Sequence, residues 1–213
     1  MIMETNGTGN NKIHPTAIIG PNVTLGSNNY IGPYCYIESN TIIGDNNRFE
    51  AFCSIGTPPE NKGYFESFTG KLIIGNNNII REYTSINAGS TKETRIGNNN
   101  IFLKNVYIAH DSILENDILL SSNVLIAGYV YIMDKVNMGM GSKCHQLTKI
   151  GACSMIGMNT TITKTTPILP GNVYVGTPAK FLKSNDYGIK KYNLSLLDVE
   201  IYTELYNKIK IHR

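Results

Sequence analysis

An apolar, mostly aliphatic residue returns at every sixth position along most of this 213-residue chain. From Ile13 the register runs through Ile19, Leu25, Ile31, Ile37, Ile43, Phe49 and Ile55. It resumes at Ile74, Ile80 and Ile86. A third run starts at Ile96 and holds through Phe102, Ile108, Leu114, Leu120, Ile126, Ile132, Met138, Cys144, Ile150, Ile156 and Ile162 to Ile168. A six-residue period does not match the apolar stripe of an α-helix, which recurs at about 3.6 residues. It matches a short strand followed by a turn, with the repeated residue pointing inward. The runs Gly26-Ser27-Asn28-Asn29, Gly44-Asp45-Asn46-Asn47, Gly75-Asn76-Asn77-Asn78 and Gly97-Asn98-Asn99-Asn100 supply turn residues that accept positive φ. Three strand-turn units close a triangular coil of eighteen residues, and coils stack at strand spacing, about 4.8 Å. A sandwich or barrel is disfavoured, because its strands recur less regularly, at about 8–12 residues.

The expected architecture is an all-β solenoid, a parallel β-helix, with a short C-terminal α-helical tail. Residues 1–12 are polar and read as a flexible N-terminus. Residues 13–178 form the solenoid, and 179–213 form the tail. Ser195, with Asp198 three residues on, predicts a helix start, and the apolar spacing carries that helix over about 195–211. It is expected to pack on the side of the solenoid or on a neighbouring subunit. The register breaks twice, near 56–73 and 87–95, and loops on rigid repeat scaffolds often carry binding residues.

Composition narrows the function classes. No apolar run approaches the roughly 20 residues of a membrane span, and the N-terminus lacks the apolar core of a signal peptide. A cytoplasmic location without membrane insertion is expected. The formal charge of +3 is too small to indicate nucleic acid. The four cysteines lack metal-ligand spacing. Cys35 and Cys53 stand eighteen residues apart at equivalent inward sites and read as stacked small core residues. A disulfide between them remains open, though unusual in a reducing compartment.

Of the four histidines, His110 is the candidate catalyst. It lies two places after the inward Ile108, near a turn, and Asp111 follows to orient it. Neutral imidazole is a suitable general base near pH 7. Counting one coil forward from His110 gives Gly128, and another gives Gln146, so the three should form one column. A glycine beside the base exposes a backbone N–H that can hold the oxyanion of an acyl-transfer intermediate. Cys144 occupies an inward position and Cys153 has no evident paired base, so neither reads as a nucleophile.

The repeat resembles the hexapeptide-repeat acyltransferase family, whose coils form a left-handed parallel β-helix. Ile108-Ala109-His110-Asp111, Ala127-Gly128, His145-Gln146, Ile80-Arg81-Glu82-Tyr83-Thr84-Ser85-Ile86 and the tail Asn185-Asp186-Tyr187-Gly188 look like the branch of UDP-N-acetylglucosamine O-acyltransferases. The resemblance implies His110 as base, Asp111 as its support and Gly128 as oxyanion donor. It further implies acceptor contacts from Glu60, Asn61, Lys62, Tyr83, Tyr107, Tyr129, His145, Gln146, Asn185 and Lys191. The acyl donor is expected to meet Gly128, His145 and Lys180. It also implies a homotrimer with sites between neighbouring solenoids, no metal, no permanently bound cofactor, and acyl-CoA or acyl-carrier protein as co-substrate.

The departures from that branch fall on acceptor contacts. Tyr107 and Tyr129 replace two histidines, Lys191-Tyr192 replaces an arginine pair, and the helical C-terminal region is short. Together they favour N-acylation of an amino sugar on a nucleotide, often dTDP in related short members of the branch, for surface polysaccharide such as O-antigen. The alternative is O-acylation of UDP-N-acetylglucosamine in lipid A and lipopolysaccharide synthesis. A non-catalytic assembly subunit would not need the His110–Gly128 column. A zinc carbonic anhydrase would need three clustered histidines.

Overall fold

The computed structural model describes residues 3–4, 9–60 and 70–211. The six-residue register becomes three flat faces. Among the described residues the strands fall into three sheets of eleven, seven and eight strands, and, apart from the first and last, each strand pairs with the equivalent strand one coil away. The inter-coil pairs are parallel, as in Ile31 with Phe49 and Ile108 with Ile126. The chain thus winds as a parallel β-helix, of the left-handed kind to which the family it resembles belongs. The register residues from Ile31 to Ile168 fill the core and are almost fully buried. Strand pairs are only two residues long in most coils, so the stacked interior carries much of the fold's stability.

Each G-x-N-N run divides four tasks among its residues. Of the turn residues expected to accept positive φ, it is the third, an asparagine, that takes it, and not the glycine. Asn28, Asn46, Asn77 and Asn99 have φ of 59°, 58°, 58° and 58°. The glycine answers to close approach instead: a β-carbon on Gly44 would lie 2.7 Å from the Gly75 carbonyl oxygen. The second residue builds a surface ladder through Asp45, Asn76, Asn98, Asn116 and Asp134. The fourth builds an internal one. There Asn47, Asn78 and Asn100 each donate N–H to the side-chain oxygen of the asparagine one coil before, at 2.8, 3.0 and 2.9 Å. Their amide nitrogens donate to carbonyls of the next coil, so these buried polar groups are satisfied.

The ladder measures both interruptions. Asn47 and Asn78 are thirty-one residues apart where an uninterrupted coil has eighteen, so thirteen are inserted. Asn78 and Asn100 are twenty-two apart, so four are inserted. Strand pairing resumes at Lys71–Ile74 and Glu93–Ile96, which makes both excursions narrower than the register breaks implied.

The ends differ from expectation in two ways. Met3–Glu4 pairs antiparallel with Lys12–Ile13, so residues before Ile13 contribute a strand to one sheet. At the other end Asn172–Val175 joins that sheet and Lys180–Ser184 folds back antiparallel on it, which carries the sheet past residue 178. Helix α1 covers Asp186–Lys191, which the sequence did not predict, and α2 covers Leu196–Lys208. The expected cap is present: Ser195 and Asp198 form a reciprocal capping box. Helix α2 packs on the solenoid flank through Tyr202 and Tyr206, beside Met133 and Tyr131. Lys149 Nζ donates to the Tyr206 and Ile209 carbonyls at its C-terminal end. Among the described residues no helix is long and apolar enough to cross a membrane.

Candidate functional site

His110 and Asp111 stand at the corner that follows the strand Tyr107–Ile108. Asp111 holds the left-handed conformation of that corner, φ 58°. This bends its carboxylate back toward the preceding imidazole, and His110 Nδ1 lies 2.6 Å from Asp111 Oδ2. A carboxylate at that distance places the ring proton on Nδ1 and the basic lone pair on Nε2. The Asp111 side chain is fully shielded from solvent and that of His110 is 11% exposed.

The second insertion closes around this carboxylate. Backbone N–H groups of Ser90, Thr91 and Lys92 donate to Asp111 Oδ1 at 3.0, 2.9 and 2.7 Å. The Ser90 hydroxyl donates to Oδ2 at 2.5 Å. Below, Asp111 N–H donates to the buried Thr94 hydroxyl at 2.9 Å. Burial alone would raise the Asp111 pKa. The hydrogen bonds from His110, Ser90, Lys92 and Thr91 outweigh it and hold the carboxyl well below its usual range. The sequence placed acceptor contacts in this insertion and missed its grip on Asp111. The signal was in the register: Ile86 pairs with Ile108, so residues inserted after Ile86 lie one coil below the His110 corner.

The predicted column is present. Tyr129 N–H donates to the His110 carbonyl and Leu147 N–H to the Gly128 carbonyl, both at 3.1 Å, which puts His110, Gly128 and Gln146 on consecutive coils. Gly128 is buried directly over the imidazole. The flanking N–H groups of Ala127 and Tyr129 make inter-coil hydrogen bonds, and that of Gly128 takes part in neither. Gln146 is half-buried and His145 exposed, with His145 Nδ1 3.1 Å from the Gln146 carbonyl.

The other predicted contacts divide. Tyr107 projects from the face leading to His110, and its hydroxyl donates to Asn87 Oδ1 at 2.8 Å. Burial, then the charge and hydrogen bonding of Glu60, raise the phenol pKa, so Glu60 reaches the same face. Asn87 in turn donates to the Pro58 carbonyl, tying the base of the first loop to this face. Asn61 and Lys62 lie outside the described residues. Tyr129 is almost buried. Its ring meets His110 edge-on at 5.3 Å, and its hydroxyl lies 3.3 and 3.2 Å from those of Ser90 and Thr91. Its contacts are therefore with the machinery around the base.

Four predicted contacts stand elsewhere. Tyr83 occupies a different corner and stacks on Phe52, which stacks on Tyr34, with ring centroids 5.1 Å apart in each pair. Asn185 was expected to touch the nucleotide. It is buried instead, accepts the Gly188 N–H as the N-cap of α1, and donates to the Cys153 carbonyl at 2.8 Å. That short side chain is spent on a helix cap. Lys191 lies at the end of α1 over Tyr192, and Lys180 on the last strand, both away from His110 within one chain. All four cysteines are buried free thiols, and burial pushes Cys144 up to about 12, which leaves no ready nucleophile there.

Comparison with known proteins agrees with the repeat architecture. The family model described as bacterial transferase hexapeptide (six repeats) matches residues 9–38 and 22–57. The acyl-[acyl-carrier-protein]–UDP-N-acetylglucosamine O-acyltransferase of Nautilia profundicola is 36% identical over 158 residues, covering 73% of this chain and 60% of that protein. For the enzyme of that name from Gloeothece citriformis the match covers 52% of its length, so the chain spans little more than half of these relatives. The Agrobacterium fabrum counterpart matches more fully, 32% identical across 93% of this chain and 80% of its own. The crystal structure of the Moraxella catarrhalis UDP-N-acetylglucosamine O-acyltransferase is 31% identical with a TM-score of 0.74, covering 92% of this chain and 83% of its own. The Francisella novicida UDP-N-acetylglucosamine acyltransferase gives a TM-score of 0.79 at 27% identity, covering 92% and 78%.

The curated relatives are named as O-acyltransferases, so they do not support the preference for an amine acceptor; of the two acyl donors left open, their name carries acyl-carrier protein and not acyl-CoA. Two of the departures that motivated it have a local explanation. Tyr129 binds the insertion beside Asp111, and Tyr107 binds Asn87. By sequence across most of its length and by its coil architecture, the chain belongs to the hexapeptide-repeat acyltransferase family, in the branch of the UDP-N-acetylglucosamine O-acyltransferases.

Proposed function

We propose that this protein transfers an acyl group from an acyl-carrier-protein thioester to a hydroxyl of UDP-N-acetylglucosamine or a close nucleotide-sugar analogue. The observation that carries the reading is the His110–Asp111 pair, 2.6 Å apart, with Gly128 packed over the imidazole one coil above. His110 Nε2 takes the proton of the sugar hydroxyl as its oxygen attacks the thioester carbonyl carbon. Negative charge moves to the carbonyl oxygen, where the Gly128 N–H stabilises it. The intermediate collapses with cleavage of the carbon–sulfur bond, and the imidazolium returns its proton to the departing thiolate. Asp111 stays ionised throughout and supports the positive ring. The step needs no covalent acyl-enzyme. Glu60 and Tyr107 offer hydroxyl-binding groups on the face beside the base. His145 and Gln146 extend that face toward the acyl chain. The working form is a homotrimer with each site between neighbouring solenoids, where Tyr83, Lys180 or Lys191 of a second chain can approach a site that one chain leaves open. The location is cytoplasmic.

The test is a thiol-release assay with UDP-N-acetylglucosamine and a panel of acyl-carrier-protein thioesters, run beside acyl-CoA donors and dTDP-linked amino sugars. An ester of UDP-N-acetylglucosamine is the expected product. Amide formation on the amino sugar alone overturns the acceptor. His110→Ala is expected to lower kcat by about 10²–10⁴, and near-normal turnover removes His110 as the base.

A further inference from the structure

Tyr129 is one of several bulky residues that stand in the left-handed region at a corner. Asparagine is the commonest residue there, as at Asn28, Asn46, Asn99, Asn105 and Asn123, but Tyr34, Phe52 and Tyr83 share the conformation and stack on one another, and Leu147 takes it one coil beyond Tyr129. Tyr129 adopts φ 58° one coil above Asp111, at the same corner. For a bulky residue this conformation costs roughly 1–2 kcal/mol. Two contacts offset that cost, one from each end of the side chain. The ring stands at 88° to the imidazole of His110, 5.3 Å away, and walls one side of it. The hydroxyl lies 3.3 Å from Ser90 Oγ and 3.2 Å from Thr91 Oγ1. Those two residues supply two of the three backbone N–H groups on Asp111, and Ser90 adds its hydroxyl.

We infer that Tyr129 is a positioning residue: it holds the Ser90–Thr91 insertion against Asp111 and thereby fixes His110 with its proton on Nδ1 and its lone pair on Nε2. The inference rests on His110 being the base. It assigns a purpose to the four-residue insertion, which closes the Asp111 side of the dyad, and to a tyrosine whose hydroxyl meets that insertion. Tyr129 acts through its neighbours and forms no bond with substrate.

Tyr129→Phe keeps the ring wall and removes the hydroxyl. With UDP-N-acetylglucosamine and an acyl-carrier-protein thioester, kcat is expected to fall about tenfold while KM for both substrates stays within twofold, as for a misplaced base. In the substrate-free protein with ¹⁵N-labelled histidine, the His110 nitrogens are expected to shift from a single Nδ1–H form toward a mixture of tautomers. Thr91→Val, which keeps the Thr91 N–H on Asp111, should produce the same change from the other side of the contact. The double variant of Tyr129→Phe and Thr91→Val should be no worse than the poorer single one, because both remove one clamp. A wild-type kcat and an unchanged imidazole spectrum in Tyr129→Phe overturn the assignment. So does a raised KM for the nucleotide sugar at unchanged kcat, which would make Tyr129 a substrate contact. If Tyr129→Phe does not fold, Thr91→Val decides by the same two measurements. Full activity in His110→Ala would sink the base reading itself. A defective His110→Ala beside a normal Tyr129→Phe sinks only the clamp.

Discussion

A β-carbon built on Gly128 would lie 2.8 Å from Cε1 and 3.0 Å from Nε2 of His110. The imidazole cannot simply swing aside, since Asp111 holds its other nitrogen at 2.6 Å. Gly128 is therefore required by the space over the ring; its φ is not in the left-handed range. Gly128→Ala keeps the backbone N–H and displaces the base. Its kcat is expected to fall roughly 10²-fold, the size of effect that a misplacement of about 1 Å produces. The melting temperature should move little, because the clash falls on one side chain. A fully active, stable Gly128→Ala protein would show that the ring does not work from the observed position.

Asp111 links the site to acid stability. Its folded-state pKa lies below the unfolded value of about 3.9. Its contribution is therefore fully present above about pH 4 and is lost as pH falls toward the folded-state value. Asp111→Asn keeps the shape and removes the charge that the Ser90, Thr91 and Lys92 N–H groups address. The variant should melt several degrees lower at pH 7, and the gap to wild type should close as pH is lowered through 4 toward 3. Melting curves across that range check the sign. A constant gap would mean that the carboxylate is not held as its hydrogen bonds indicate.

Burial makes the thiols latent. Cys35, Cys53, Cys144 and Cys153 are all buried, and desolvation raises the Cys144 pKa to about 12. At pH 8 the thiolate fraction of Cys144 is negligible, and access to it requires unfolding. A chromogenic disulfide reagent should titrate no fast thiol in the native protein and four after denaturation. Cys144→Ala should retain its site chemistry. Rapid modification of Cys144 with loss of activity would revive it as a nucleophile.

What could be read in advance follows from what is periodic. Ile108, Ile126 and Cys144 occupy one register on consecutive coils, so the His110–Gly128–Gln146 column could be counted before any coordinates. The turn was harder. Gly44 and Asn46 are both residues that turns favour, and only the backbone shows that the asparagine takes positive φ while the glycine yields space. The insertions carry no register by definition. Ser90 and Thr91 appeared only as an interruption, and their aim at Asp111 depends on how a four-residue bulge folds over the next corner. Asn185 misled because one short amide serves equally well as a ligand contact or a helix cap. Tyr107 and Tyr129 looked like a changed acceptor, because residue identity does not say whether a side chain faces a ligand or its own neighbours.

The two asparagine ladders offer a comparison in which chemistry is constant and burial changes. Asn78 is fully buried. Its Nδ2 donates to the Gly97 carbonyl at 3.0 Å and to Asn47 Oδ1 at 2.9 Å, and its Oδ1 accepts from Asn100 N–H at 2.9 Å. Asn78→Ala leaves these partners without their bonds in a space that excludes water. Leaving a buried polar group unpaired costs about 1–3 kcal/mol, so a loss of roughly 3 kcal/mol or more is expected. Asn76 makes equivalent bonds on the exposed ladder, accepting from Asp45 N–H at 2.7 Å and donating N–H to Asn98 Oδ1 at 2.8 Å. There water can replace the missing group, and Asn76→Ala should cost less than about 1 kcal/mol. Urea unfolding of the two variants measures the difference. Equal losses would mean that the internal ladder gains nothing from its burial, and that stacked aliphatic residues alone hold the coils in register.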